Sequence, residues 1–332
     1  VFFPRKENAV QTRRGFLTSS AAIVAGLGLA ACRDSAEAGI SQQATGAAAD
    51  TPAPKLSGPL NTRLIPRTQE RAPVIGMGTS GSFEVGESAA DRDPLREVVK
   101  RFFASGATVI DTAPTYGTAE DVVGALLAEQ HLRPKAWLAT KLSGVTGREE
   151  GLAQFNDSLR RLKTDKVELL QVHNLRDLKT QLAVARELKE QGKTRYVGVT
   201  HYLESAQDEL AEIIQAEKPD WLQINYSVVS RGAEKRVLPL AQDLGIAVMI
   251  NRAFEDGKLF AQVKDKPLPD WAAAAGISSW AQAFLKFALS QQAVTVVIPA
   301  TGKPDRQSDN LQAGLGPDLD AQQRQSLISH FT

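Results

Sequence analysis

ATVIDTAPTYG (107–117) is the stretch that decides the fold. An apolar run, 107–110, ends on Asp111, and the chain turns at once through TAPTYG, which carries Tyr116. The same form returns twice: AWLATK (136–141) ends on Lys141, and VELLQVH (167–173) ends on His173. Short apolar runs that each close on a reactive side chain are what a parallel α/β barrel looks like in sequence. The carboxyl ends of its strands converge on one face, and the chemistry sits there.

Working outward, five more runs qualify as strands: VIGMG (74–78), RYVGVT (195–200), WLQI (221–224), IAVMIN (246–251) and VTVVIP (294–299). With the first three this makes eight, separated by amphipathic stretches. Asp93 is placed to cap a helix with Pro94 at its first position; Leu95, Val98, Val99, Phe102 and Phe103 form its apolar face, and Gly106 ends it. Leu152, Phe155, Leu159 and Leu162 repeat the spacing, as do Val237, Leu238, Ala241 and Leu244 before Gly245. The longer segment 252–278 is expected to hold an extra loop and a short helix at 271–275. No linker interrupts the pattern, whose extent suits the ~250 residues of a typical barrel. The expectation is one α/β domain, a (β/α)8 TIM barrel, over residues 71–332.

The 332 residues carry a formal net charge of +1 and no basic stripe interleaved with aromatics, so nucleic acid is not an expected partner. Residues 1–32 have the form of an export signal. Arg5, Lys6, Arg13 and Arg14 precede an uncharged stretch with the apolar centre AAIVAGLGLAA (21–31), too short to span a bilayer core of about 30 Å. TRRGFL (12–17) resembles a twin-arginine signal, and LAAC (29–32) resembles a lipobox. On that reading Cys32 is acylated and is the only tie to a membrane; the rival is cleavage after Ala38 and release. Cys32 is the only cysteine in the sequence, which excludes internal disulfides and thiolate metal sites; no metal is expected. Residues 33–70, rich in Ala, Gln, Thr, Pro and Gly, read as a flexible tether. The expected location is the cell envelope or periplasm, the alternative the cytoplasm.

Tyr116 beside Lys141, itself beside Asp111, is a way to acidify a phenol whose ordinary pKa is ~10. Together with DTAPTYGTAEDVVGALL (111–127), LATKL (138–142), LLQVH (169–173), GVTHY (198–202), LQINYS (222–227) and VIPATGKPDRQSDN (297–310), these residues resemble the aldo-keto reductases, in family order across 72–315. Within the family the chain looks like the bacterial branch with twin-arginine leaders. The resemblance implies reduction of a small-molecule carbonyl with NADP(H) and without a metal. It makes Tyr116 the proton donor, Lys141 and Asp111 the pair that tunes it, and His173 the residue that orients the carbonyl.

It also implies a cofactor site. Arg306 would hold the adenosine 2′-phosphate with Thr301 and Lys303 assisting, and Asn310, on the same helical face, the adenine. Thr200, His201 and Gln223 would hold the nicotinamide carboxamide, and Thr79 would be another contact. No Rossmann glycine fingerprint is present. The chain departs from the pattern at His201, where many relatives have Asn, and at Asn251, where many have an aromatic that stacks on nicotinamide. Ser80 and Asn174 stand where Trp is common, so two aromatic walls are expected to be missing, and the tail after Leu319 is short. Export of an NADPH enzyme implies slow cofactor release or an envelope redox partner that regenerates NADPH. The alternative function is a cofactor-binding redox sensor or accessory module with little turnover.

Overall fold

The structure, a computed structural model, describes residues 56–331. The leader, Cys32 and most of the stretch read as a tether lie outside the described residues. The folded part begins earlier than residue 71. β1 (Thr62–Leu64) and β2 (Arg71–Pro73) pair antiparallel, and Leu60 and Ile65 are buried, so the tether reading fails for its last ten or so residues. Arg63 holds this hairpin to the barrel by donating to the carbonyls of Leu289, Gln291 and Val294.

Eight parallel strands follow, each hydrogen-bonded to the next in chain order. They are β3 (Met77–Gly78), β4 (Val109–Asp111), β5 (Trp137–Leu142), β6 (Val167–His173), β7 (Thr194–His201), β8 (Trp221–Asn225), β9 (Ala247–Asn251) and β10 (Val294–Val297). Bridges from Ile75 to Val297 and from Gly78 to Ala300 bring the last strand back to the first. A Cβ on Gly78 would lie 2.8 Å from the Ile298 carbonyl, so the seam needs glycine there. All eight strands expected from the sequence are present, β6 with the expected ends and the others with an end moved by up to three residues.

One helix follows each of the first six barrel strands: α1 (Ala89–Ala104), α2 (Ala119–Glu129), α3 (Arg148–Arg161), α4 (Leu178–Glu190), α5 (Gln207–Glu217) and α6 (Val237–Asp243). α7 (Lys258–Gln262) and α8 (Trp280–Leu289) lie between β9 and β10, and α9 (Pro304–Gln312) and α10 (Ala321–Ser329) end the chain. Two local expectations are corrected. α1 starts at Ala89, not after Asp93: the Ser88 hydroxyl caps it by accepting from the Asp91 N–H, and Pro94 lies inside the helix, where it denies a donor to the Ala90 carbonyl. Residues 271–275 form single turns, with Ala275 N–H reaching the Trp271 carbonyl at 3.2 Å; Pro269 and Gly276 bracket the run too closely for a helix to propagate. The regular helix of that segment is α7.

Strand alternation divides the barrel interior into layers. On β5, Trp137, Ala139 and Lys141 share the inner face while Leu138 and Leu142 pack outward among the helices. The inner floor is apolar: Val109, Trp137, Leu169, Tyr196, Trp221, Met249 and Val296, closed from below by Ile65 of the hairpin. Trp137 and Trp221 lie 5.2 Å apart between ring centroids, and the Tyr196 hydroxyl bonds to Thr68 and Glu70 on the hairpin turn. One step up each strand the layer becomes polar: Asp111, Lys141, Gln171 and Gln223. That roof is the base of the site.

Candidate active site

Lys141 is fully buried, and its Nζ donates to Asp111 Oδ2 and to the Thr112 carbonyl, at 2.7 and 2.8 Å. Asp111 Oδ1 accepts from Gln171 Nε2 at 3.1 Å and Gln223 Nε2 at 2.9 Å. An ion pair this deep repays its desolvation only when its remaining valences are met, and here each carboxylate oxygen has donors. Burial opposes the charge on Lys141, but Asp111 and Tyr116 outweigh it and its pKa is raised, so the ammonium persists. A Cβ at position 198 would lie 3.0 Å from Gln171 Cγ and 3.0 Å from the Trp221 carbonyl, so Gly198 makes room for the amide that holds Asp111.

Tyr116 sits on the turn after β4, its backbone N–H bonded to the Ala113 carbonyl. Lys141 Nζ lies 4.8 Å from the centroid of its ring. Burial pushes the phenol above its ordinary range; Lys141 pulls it down, and Asp111 and Glu84 push it up again. The acidification expected from Lys141 is therefore present as a pull and loses to burial. The phenol holds its proton at neutral pH, and an ammonium beneath it would stabilise a phenolate formed there.

His173 ends β6, its ring edge-on to Tyr116 at 6.0 Å between centroids. Burial first, then the nearby Lys141 and His201, push its pKa down to about 3, so the imidazole is neutral. Its Nδ1 is hydrogen-bonded to the Ser143 hydroxyl.

Asp111, Tyr116 and His173 line a cleft of about 700 Å³; Lys141 lies behind them. Of the residues expected to hold a cofactor, Thr79, Thr200, Gln223 and Arg306 line the same cleft, whereas His201, Thr301, Lys303 and Asn310 do not. Thr79 donates to the Asp111 carbonyl at 3.1 Å. Gln223 Oε1 accepts from Thr200 Oγ1 at 3.2 Å and Asn251 Nδ2 at 3.3 Å, so its amide is engaged on both ends. Asn251 Oδ1 is buried without a partner. His201 is half-buried, its Nδ1 accepting from the Leu203 N–H and its ring stacked on Tyr202. Farther along, Thr301 Oγ1 accepts from the Lys303 N–H, and Lys303 precedes α9 without a side-chain cap on the helix. Arg306 is exposed and Asn310 buried one turn later on α9.

Five contributors escaped the sequence reading. Gln171 and Ser143 stand two residues from His173 and Lys141, and strand alternation alone sets each on the inward face beside its neighbour. Tyr202, Phe254 and Phe260 also line the cleft and supply aromatic surface, though Ser80 and Asn174 leave the two expected walls polar. Among the described residues, none after Leu319 lines the cleft: Trp271 Nε1 bonds to Ser326 of α10, and Phe331 packs against Trp280 and Phe284. Among the described residues no cluster of His, Cys, Asp and Glu is suited to a metal ion.

Comparison with known proteins gives a consistent picture. The profile of the Aldo/keto reductase family matches residues 74–330. An aldo-keto reductase of Bacillus subtilis (strain 168) is 28% identical over 216 residues, 61% of this chain and 64% of that protein, so the chain matches less than two thirds of this relative's length. A methylglyoxal reductase of Escherichia coli (strain K12) is 31% identical over 68% of this chain and 80% of its own. Among solved structures, an aldo-keto reductase from Klebsiella pneumoniae in complex with NADPH superposes with a TM-score of 0.67 at 25% identity, covering 81% of this chain and 94% of that one.

Proposed function

Because the chain belongs to the aldo/keto reductase family, we propose that it is an oxidoreductase that reduces an aldehyde or ketone with NADPH, or runs the reverse oxidation, with Tyr116 as the acid. The observation that carries this reading is that Tyr116, His173 and Arg306 line one cleft, with the Asp111–Lys141 pair beneath the phenol. NADPH, when bound, supplies the hydride. The residues fit that cofactor. Asn251 Oδ1 is a buried acceptor still lacking a donor, and Arg306 offers a forked cation beside the uncapped start of α9.

The chain's own part is proton transfer and orientation. Tyr116, protonated at neutral pH, gives its proton to the carbonyl oxygen as negative charge gathers there, and Lys141 stabilises the phenolate that remains. Asp111 keeps Lys141 charged and fixed. His173, neutral, offers a ring nitrogen to the same oxygen. The mixture of polar and aromatic lining suits a small carbonyl compound, in keeping with a relative named for methylglyoxal reduction.

The test is to titrate the purified protein with NADPH and NADH and then offer aldehydes, methylglyoxal among them. Tight NADPH binding with steady turnover is expected. Binding without turnover would make the protein a cofactor-binding sensor or accessory module instead, and absence of both would end the reading.

We further propose that residues 1–32 direct export by the twin-arginine route and that Cys32 carries the lipid anchor. Folded export would let the barrel leave with its cofactor bound. At a Kd of ~1 nM and an association rate of roughly 10⁶ M⁻¹s⁻¹ the cofactor would stay only minutes, so export requires slower release or an envelope redox partner. Lys in place of Arg13 and Arg14 should retain the protein in the cytoplasm, and Cys32→Ser should free the exported form from the membrane. Fractionation with both variants located as wild type would overturn this and leave a cytoplasmic reductase.

A further inference from the structure

We infer that Ser143, with Thr115, fixes the tautomer of His173 and so makes it a hydrogen-bond donor to the substrate. Ser143 follows the end of β5, 4% exposed, and its hydroxyl meets His173 Nδ1 on one side and the Thr115 hydroxyl at 2.9 Å on the other. Its backbone is clamped on both sides by one side chain of α3. The Ser143 N–H donates to Gln154 Oε1 at 2.7 Å, and Gln154 Nε2 donates to the Ser143 carbonyl at 2.8 Å. The clamp fixes the backbone of Ser143, two residues beyond the lysine of the buried pair, and the contacts to His173 and Thr115 place its hydroxyl.

A neutral imidazole carries one ring proton, and the hydrogen bond at one nitrogen decides where it sits. Two arrangements satisfy the chain of three groups. In one, Nδ1–H donates to Ser143, Ser143 donates to Thr115, and Nε2 meets the substrate as a bare lone pair. In the other, the exposed Thr115 hydroxyl donates to Ser143, Ser143 donates to Nδ1, and the ring proton resides on Nε2. His173 lines the cleft, and among the described residues its Nε2 has no hydrogen bond. A lone pair there would repel a carbonyl oxygen; an N–H would bind it and strengthen its hold as that oxygen gains charge. Only the second arrangement serves reduction. Ser143 is thus a positioning residue that acts through His173, and Thr115 couples it to the turn that carries Tyr116.

The inference rests on the carbonyl-reductase reading, yet its test needs no turnover. ¹⁵N spectra of the folded protein labelled at histidine, with the His173 signals identified by their loss in His173→Gln, report which ring nitrogen is protonated. The proton is expected on Nε2. Ser143→Ala should shift population toward Nδ1–H and lower kcat for carbonyl reduction about two- to tenfold, the worth of one hydrogen bond, with the NADPH dissociation constant unchanged. A proton on Nδ1 in the wild-type protein overturns the inference, as do unaltered tautomer populations in Ser143→Ala. If that variant does not fold, the wild-type spectrum decides alone. The expected tautomer in a protein that reduces no carbonyl would sink the proposed function and leave the relay standing.

Discussion

The floor and the roof of the barrel are made by the same strands, one alternation apart, and they are opposite in chemistry. β5 gives Trp137 and Ala139 to the floor and Lys141 to the roof; β8 gives Trp221, then Gln223; β4 gives Val109, then Asp111. The floor is three packed aromatic rings with aliphatic neighbours, and its only polar cost is the indole N–H of Trp137 and of Trp221, both without partners. The roof is a buried ion pair caught in a net of amides. Apolar side chains of like volume would be as stable there or more so. The difference teaches that alternation decides which side chains enter the barrel, while residue identity divides the interior into a layer that holds the fold and one that holds reactive charge.

Single substitutions should break the two layers differently. Tyr116→Phe, at the roof, should lower carbonyl reduction ~10²–10⁴-fold, the usual contribution of a positioned acid. The ring keeps its packing, so denaturant unfolding should move by less than about 1 kcal/mol. Trp221→Ala, at the floor, should cost ~3–5 kcal/mol of stability and leave kcat per folded molecule near wild type. Unfolding curves beside active-site-normalised rates check both. A Tyr116→Phe protein that unfolds, or a Trp221→Ala protein that is stable and inactive, would erase the division.

How much of this was legible in the sequence follows from the same contrast. Barrel strands are covered on both faces, so they appear as continuous apolar runs whose ends show wherever a charged or polar residue closes them, as at Asp111, Lys141 and His173. The hairpin under the floor was not legible. Its strands are three residues long, too short for a period, and its buried Ile65 stands among Arg63, Arg67 and Arg71. The start of α1 misled because Asp93-Pro94 is a sound start signal that a better one, Ser88, pre-empted. The reactive side chains could be read because each is chemically unusual at a strand end. Ser143 and Gln171 could not, since Ser and Gln are ordinary and only their inward phase marks them. The direction of the Tyr116 shift was missed for a related reason: sequence shows the cation nearby but not the depth of burial, and burial wins.

Away from the barrel axis, Arg306→Ala sharpens the contrast between charge held in the interior and charge offered to solvent. Its guanidinium is exposed at the cleft, so its removal should leave stability unchanged. A lost charge-assisted hydrogen bond of ~1.5–3 kcal/mol would weaken NADPH about tenfold to a hundredfold and NADH little. Equal loss for both cofactors in a binding titration would move the phosphate contact to Lys303.

The smallest expected effect is a pH dependence that belongs to the roof and not to the floor. His173 in the folded protein titrates at about 3, against an ordinary value of 6.5, because burial and Lys141 disfavour the imidazolium. As pH falls below 6.5 the unfolded chain takes up a proton that the folded protein refuses until about 3. The stability due to neutral His173 is therefore fully present above 6.5 and declines as pH falls through that window, by up to ~1.4 kcal/mol per pH unit. His201, pushed down by burial as well, adds a smaller drift of the same sign, so the informative quantity is a difference between two proteins. The slope of unfolding free energy against pH, taken between 6.5 and 5, should be steeper in wild type than in His173→Gln. Trp221→Ala, although far less stable, should keep the wild-type slope, since the floor holds no group that titrates there. Equal slopes in wild type and His173→Gln would mean that the imidazole gains its proton as readily folded as unfolded. Its neutrality, on which the proposed role of His173 as a hydrogen-bond donor through one defined nitrogen depends, would then be lost.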